Sequence, residues 1–264
     1  MKLGFCSYSA LDRPLAAAAE VAAGAGLDGL EVTAHPPHLD PEAGLEAARE
    51  AGRAVRAAGV EVICYGSYLG RFGRTTLAHA RQDAEIAAAL DTKLMRVWAE
   101  PIEPTPFDMA PVVELMRAAC DAAAPAGITV VIERHMGSFA DTPERIAALL
   151  SAIDRSNVAL NYQVLDFLPA DAIDAQPADA AALVRFARYF HLKNYLRNPD
   201  PGGPLFPGGS LAGGALDYAA ILRSALAADY DGPLTFEFLA FDERPTEVKL
   251  ADDVAFVRGV LGDR

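Results

Sequence analysis

Eight short β-prone runs recur along the chain with helical stretches between them, and this alternation constrains the fold more than any other feature. The runs are Leu3–Tyr8, Gly29–Thr33, Glu61–Tyr65, Leu94–Ala99, Ile128–Arg134, Val158–Tyr162, Tyr189–Lys193 and Leu234–Leu239. Several are nearly continuous in apolar residues, as in Ile128-Thr129-Val130-Val131-Ile132, the pattern of parallel strands covered by helices. Asp40-Pro41-Glu42 and Thr142-Pro143-Glu144 each set a capping side chain, a proline at the first helical position and an acid near the helix's positive end. Gly59, Gly127 and Gly232 lie shortly before strands, where a left-handed cap or a turn is expected. With no break in composition, the pattern predicts one domain over 1–264, a closed α/β (β/α)8 TIM barrel. An open doubly wound sheet is the alternative, but no GxGxxG follows the first run.

A length of 264 residues suits one α/β barrel. A chain of this size buries about three quarters of its unfolded surface, so folding needs no disulfide or structural metal. With 36 Asp+Glu against 23 Lys+Arg, the net charge of −13 opposes nucleic acid and anionic membrane surfaces as partners. Cys6, Cys64 and Cys120 are odd in number and widely spaced, which favours buried thiols in a reducing compartment. The Ala-rich stretch Leu15–Leu27 is interrupted by Glu20, Gly24 and Gly26, and no membrane-spanning run occurs. The expected location is the cytoplasm. A homo-oligomer is compatible with all of this.

Three long irregular stretches, Gly66–Arg74, Glu100–Asp108 and Arg197–Gly214, follow β-prone runs and would overhang the C-terminal mouth of a barrel. The last carries Pro199, Pro201, Pro204 and Pro207 among six glycines. It reads equally as a hinged lid or as a loose excursion.

The informative residues are the polar ones that interrupt apolar strands. Glu133 ends Val130-Val131-Ile132, and His135 lies two positions on, on the same face. His191 and Lys193 share that relation in Tyr189–Lys193, Glu237 is flanked by Phe236 and Phe238, and Glu31 interrupts Leu30 and Val32. A carboxylate there is costly unless paired, hydrogen-bonded or metal-bound. Two glutamates and a histidine from different strands suit a divalent cation such as Mn²⁺, Mg²⁺ or Co²⁺, and Gln163 or Asp166 on the sixth strand would complete the shell. The competing account is ion pairing with Arg96, Arg134 or Lys193. Trp98 alternates with Arg96 on the fourth strand, placed to stack on a sugar ring or simply to fill the core. Tyr8, Tyr65 and Tyr68 face either the same pocket or the core. His35 is a pocket candidate, and His79 reads as a surface residue. There is no GxxxxGK[ST], HExxH or GxSxG, and Cys6 has no neighbouring base in sequence.

With these residues in view, the sequence resembles the sugar phosphate isomerase/epimerase family of xylose isomerase-like TIM barrels. The resemblance spans almost the whole chain. It is carried by Gly26–Val32, by Val131-Ile132-Glu133-Arg134-His135 with Asp141-Thr142-Pro143-Glu144, and by Phe190-His191-Leu192-Lys193-Asn194. Gly214–Tyr218 and Tyr230-Asp231-Gly232-Pro233 running on to Glu237 complete it. It implies a metal held by Glu133, Gln163, His191 and Glu237, with Mn²⁺ first and Mg²⁺ or Co²⁺ as alternatives. The sixth strand departs from the family's Asp-x-x-His, showing Gln163-x-x-Asp166, which weakens the metal site and makes substrate inference unsafe.

The resemblance further implies proton transfer next to a carbonyl, with Glu133 and Glu237 as catalytic acid/base groups and an enediolate intermediate. His135, Lys193, Glu31, Trp98, Arg96 and Asp166 are the expected substrate contacts. The leading expectation is a metal-dependent isomerase or epimerase of a sugar or keto-sugar in carbohydrate metabolism. A lyase or dehydratase on a keto-sugar or cyclic polyol ketone is the alternative enzyme. A non-catalytic sugar-binding barrel with a degenerate metal site is the alternative from another class. Five histidines are too few for the three-metal endonuclease branch, and no clustered basic residues or glycine cradle indicate a phosphorylated substrate.

Overall fold

A computed structural model describes residues 1–200 and 202–262, so Pro201 and the last two residues of the expected domain lie outside the described residues. Eight parallel strands close into a barrel: β1 (Leu3–Cys6), β2 (Gly29–Thr33), β3 (Glu61–Gly66), β4 (Leu94–Val97), β5 (Thr129–Glu133), β6 (Val158–Tyr162), β7 (Ala187–Leu192) and β10 (Leu234–Phe236). Their order around the ring, β1-β10-β7-β6-β5-β4-β3-β2, is that of a TIM barrel. The open-sheet alternative is thereby excluded.

Helices α1 (Leu15–Gly24), α2 (Leu45–Ala57), α3 (Leu77–Leu90), α4 (Ala110–Ala123), α5 (Pro143–Ile153), α6 (Gln176–Leu183), α7 (Tyr218–Ala227) and α8 (Thr246–Leu261) alternate with these strands. The Thr142 hydroxyl caps α5 by accepting from Arg145 N at 3.3 Å. Asp40 caps a short 3-10 turn, Pro41–Ala43, and α2 itself starts at Leu45. Gly59 and Gly127 have the expected positive φ; before β10 that conformation falls instead on Asp229, φ 63°. No helix among the described residues is long and apolar enough to cross a membrane.

Alternate strand residues face outward under the helices, among them Phe5, Leu30, Met95, Ile132 and Phe190. Inside the barrel a smaller apolar cluster of Ile63, Cys64, Val131, Ala159 and Tyr189 fills the lower half. Gly4 and Gly29 make room for it: a Cβ on either would lie within 3.2 Å of the Ile63 side chain. Above that plug, the inward positions turn polar.

One register shift matters for the site. Leu30 pairs with Val62 but Glu31 with Cys64, so Ile63 is an extra residue in β3. Tyr65 therefore points away from the pocket, correcting one of its two readings; its hydroxyl donates to Asp83 of α3 at 3.1 Å. The second correction is the Arg197–Gly214 stretch. It is neither a simple lid nor a loose loop, because β9 (Phe206–Gly209) pairs antiparallel with β8 (Asn194–Leu196).

Candidate active site

The inward positions at the upper ends of the strands bring four carboxylates against three basic side chains. Glu31 on β2 is fully buried. Its Oε1 accepts from Arg96 Nη2 at 3.2 Å, and its Oε2 accepts from the Tyr189 hydroxyl at 2.8 Å and meets His191 Nε2 at 2.6 Å. Arg96 also reaches Glu133, Nε to Oε2 at 3.2 Å. His191 Nδ1 lies 3.4 Å from Glu237 Oε1 and 3.1 Å from the Asn161 amide. Lys193 Nζ lies 3.0 Å from Glu237 Oε2 and 3.2 Å from Asp166 Oδ1. Thus the ion-pair account and the clustered-site account both describe these residues.

Burial and pairing split the titration of the group. Burial pushes Glu133 up to about 7, Arg96 opposes the rise and Glu237 adds to it. Burial also disfavours charge on Glu237, but Lys193 and His191 outweigh it and hold the carboxyl far below its ordinary value. Burial works against a charged His191; Glu31 and then Glu237 override it and raise the imidazole to about 10. Glu237 and Asp166 likewise keep Lys193 protonated against its burial.

Above this layer lies a cavity of about 210 Å³. Its floor and walls include Arg96, Glu133, Asp166, Lys193 and Glu237, with Trp98 and His135 on one side. The Trp98 and His135 rings meet edge to face at 4.9 Å, and His135 Nε2 lies 3.7 Å from Asp166 Oδ2. Burial and the positive charge of Arg71 keep the His135 imidazole below its ordinary value. Arg134, by contrast, points outward to Asp179 at 2.5 Å and takes no part.

Glu31 is placed differently from expectation. Glu31, expected to touch substrate, lies beneath the cavity rather than on its wall, where it holds His191 and Arg96. Gln163 lies beside Glu133 as expected, with its Oε1 buried and making no hydrogen bond. Nε2 donates to Glu133 Oε1 at 3.0 Å and to the Arg134 carbonyl at 2.8 Å.

Residues from the β3–α3 loop complete the wall. Tyr68 stands parallel to Trp98 with ring centroids 6.3 Å apart, and the Arg71 guanidinium lies 4.1 Å from the Trp98 ring centroid. Buried Asp83 anchors that loop through the Ser67 hydroxyl at 2.8 Å and Arg74 Nη2 at 2.9 Å. Arg71, Phe72 and Phe238 line the cavity too; sequence reasoning did not single them out. For Arg71 and Phe72 the available signal was their place in the long Gly66–Arg74 stretch. His35 is exposed and off the cavity wall, and His79 caps α3 with Thr76.

Glu133, His191 and Glu237 offer ligand atoms within 4.8 Å of one another, a group able to hold a metal ion. Glu133 Oε2 and Glu237 Oε2 are buried and make no directed hydrogen bond, despite lying within ion-pair distance of Arg96 and Lys193. Two such oxygens and an imidazole fit a divalent cation. A bound cation would compete with the His191 proton and with both basic side chains, so its affinity rises with pH.

Comparison with known proteins agrees with this architecture. Among solved structures, a xylose isomerase-like TIM barrel protein from Mycobacterium smegmatis in complex with magnesium superposes with a TM-score of 0.73 at 19% identity, over 98% of this chain and 96% of that one. The apo 3-keto-D-glucoside 4-epimerase of E. coli gives 0.70 at 19%, over 98% and 99%. The probable 3-DHS dehydratase AsbF of Bacillus anthracis gives 0.70 at 19%, over 100% of both chains. At these identities the likeness concerns the fold. Comparison with curated proteins returns no match. The sequence model of the xylose isomerase-like TIM barrel matches residues 19–259, so the chain belongs to that family.

Proposed function

We propose that this barrel is a sugar or keto-sugar isomerase or epimerase that moves a proton at a carbon next to a carbonyl. One observation carries the reading: Glu133 and Glu237, three strands apart around the ring, face the same small cavity together with His191 beneath it. Glu133, pushed up to about 7, is matched to giving and taking a proton near neutral pH. Glu237 is ionised, the form a proton acceptor needs, and takes a proton as its pairs with Lys193 and His191 loosen. Lys193, His135 and Asp166 orient hydroxyls, and Trp98 presents its face to the apolar side of the ring. A divalent cation held by Glu133, His191 and Glu237 (Mn²⁺ first, Mg²⁺ or Co²⁺ next) supplies Lewis-acid polarisation of the substrate oxygen. Gln163, whose Oε1 is buried and makes no hydrogen bond, is the fourth candidate ligand.

Structural neighbours support the same class, among them the E. coli 3-keto-D-glucoside 4-epimerase and the D-allulose 3-epimerase of a Methylomonas species. A lyase is the second reading. A carboxyl that burial pushes up to about 7, as it does Glu133 when no cation is bound beside it, can protonate a departing hydroxyl.

The test is solvent exchange: keto-sugars incubated with the metal-loaded protein in D₂O acquire deuterium beside the carbonyl, read by NMR. Glu133→Gln and Glu237→Gln each lower that exchange by about 100-fold or more while preserving the far-UV spectrum. Near-native exchange in either variant refutes the two-glutamate scheme, and loss of water in place of exchange selects the lyase.

A further inference from the structure

A second cavity, of about 350 Å³, adjoins the first. It lies between the loop after β1 and the loop after β10, and the two cavities share Tyr8 and Phe238 as a common wall. Those rings meet edge to face at 6.0 Å, and Phe238 meets Phe241 in the same way at 6.0 Å. Beneath Phe238 lies the buried Lys193 ammonium, 5.2 Å from the ring centroid. A continuous aromatic stripe therefore climbs from the floor of the candidate site to Phe241, which is 65% exposed.

The stripe is anchored. The Phe241 amide donates to the Gly208 carbonyl at 2.9 Å, which fixes the loop to the β8–β9 hairpin. The Ser9 hydroxyl donates to the Glu237 carbonyl and ties the two loops together. Three polar groups around the second cavity are already engaged, Asp12 with Arg13, Lys249 with the Asp242 carbonyl and Ser9 with the Glu237 carbonyl. Leu11, Leu239 and Ala240 offer apolar surface beside the aromatic rings, together with the Thr246 side chain.

The first cavity is smaller than the roughly 300 Å³ at which small-molecule pockets begin, and it is lined by charged groups suited to hydroxyls. We propose that the second cavity is an aglycone site, and that the substrate is a glycoside whose sugar ring enters the charged cavity. A flat, apolar aglycone then lies across Phe238 against Phe241. The proposal rests on the sugar-processing reading above for its choice of ring.

Binding, measured by calorimetry on the metal-loaded full chain, tests it without needing turnover. The probes are phenyl and methyl D-glucopyranosides, each as the α and β anomer. At least one phenyl glycoside binds about tenfold more tightly than its methyl counterpart. Phe241→Ala removes most of that advantage and leaves the methyl glycoside unchanged. Equal affinities for phenyl and methyl, no binding of either, or a Phe241→Ala loss shared by both overturn the proposal. Deuterium exchange on keto-sugars, both free and as their phenyl glycosides, reports separately on the chemistry. Exchange without a phenyl preference sinks the aglycone site alone, whereas a phenyl preference without exchange sinks the epimerase reading alone.

Discussion

Replacing Glu31 by glutamine isolates what one buried carboxylate does for the site. The change keeps shape and removes charge, leaving Arg96 with Glu133 at 3.2 Å and His191 with Glu237 at 3.4 Å. Removing one partner of a buried ion pair costs about 3–5 kcal/mol of stability at neutral pH. The pH dependence is more diagnostic. In the native protein His191 titrates at about 10, above its ordinary 6.5. A proton held more tightly folded than unfolded stabilises fully below pH 6.5, and that contribution is lost as pH climbs through 10. The rise corresponds to roughly 4–5 kcal/mol. Since Glu31 is the strongest single attraction on His191, with Glu237 next, Glu31→Gln makes this decline shallower. Urea denaturation followed by far-UV circular dichroism, with chelator present and between about pH 7 and pH 10, reads the slope for both proteins. Parallel stability curves would show that Glu31 does not hold the His191 proton.

Two further substitutions probe the floor and the wall. Gln163→Asp removes two hydrogen bonds and sets a second carboxylate beside Glu133, so the melting temperature in chelator falls, while Mn²⁺ raises it more than in the native protein. An equal rise in both proteins would place the metal away from this position. Gly70→Ala forces a side chain into φ +85° with its Cβ 1.8 Å from the Trp98 carbonyl oxygen, costing at least about 2 kcal/mol. An unchanged urea midpoint would mean that the β3–α3 loop does not lie against β4 as described.

The strands were legible because both faces of a parallel strand are buried, leaving apolar runs such as Val130-Val131-Ile132. The same logic exposed Glu133, His191 and Glu237, since a charge inside such a run has few alternatives to a cluster. Alternation reports which face a residue takes but not its depth along the barrel axis, so Glu31 read as a substrate contact although it lies under the floor. Tyr65 was ambiguous for another reason: the extra residue at Ile63 reverses the parity of β3, and nothing in Glu61–Tyr65 signals a bulge. Arg71 and Phe72 come from loop backbone without a period, which left them invisible to pattern reading, and Phe238 read only as a flank of Glu237 in a strand that in fact ends at Phe236. The β8–β9 hairpin was hidden by its own composition, since Phe206-Pro207-Gly208-Gly209 has the residues of a turn, not of a strand.

The position of Trp98 has a practical side. It is the only indole in the chain, and it sits on the cavity wall between a guanidinium, an imidazole and a phenol ring. All ultraviolet-excited tryptophan emission from this protein therefore originates at the one place where ligands are received. An occupant that displaces water from Trp98, or moves Arg71 off its face, changes the emission with no background from other tryptophans. The molecule carries its own optical gauge of occupancy, usable with compounds that are bound but never converted.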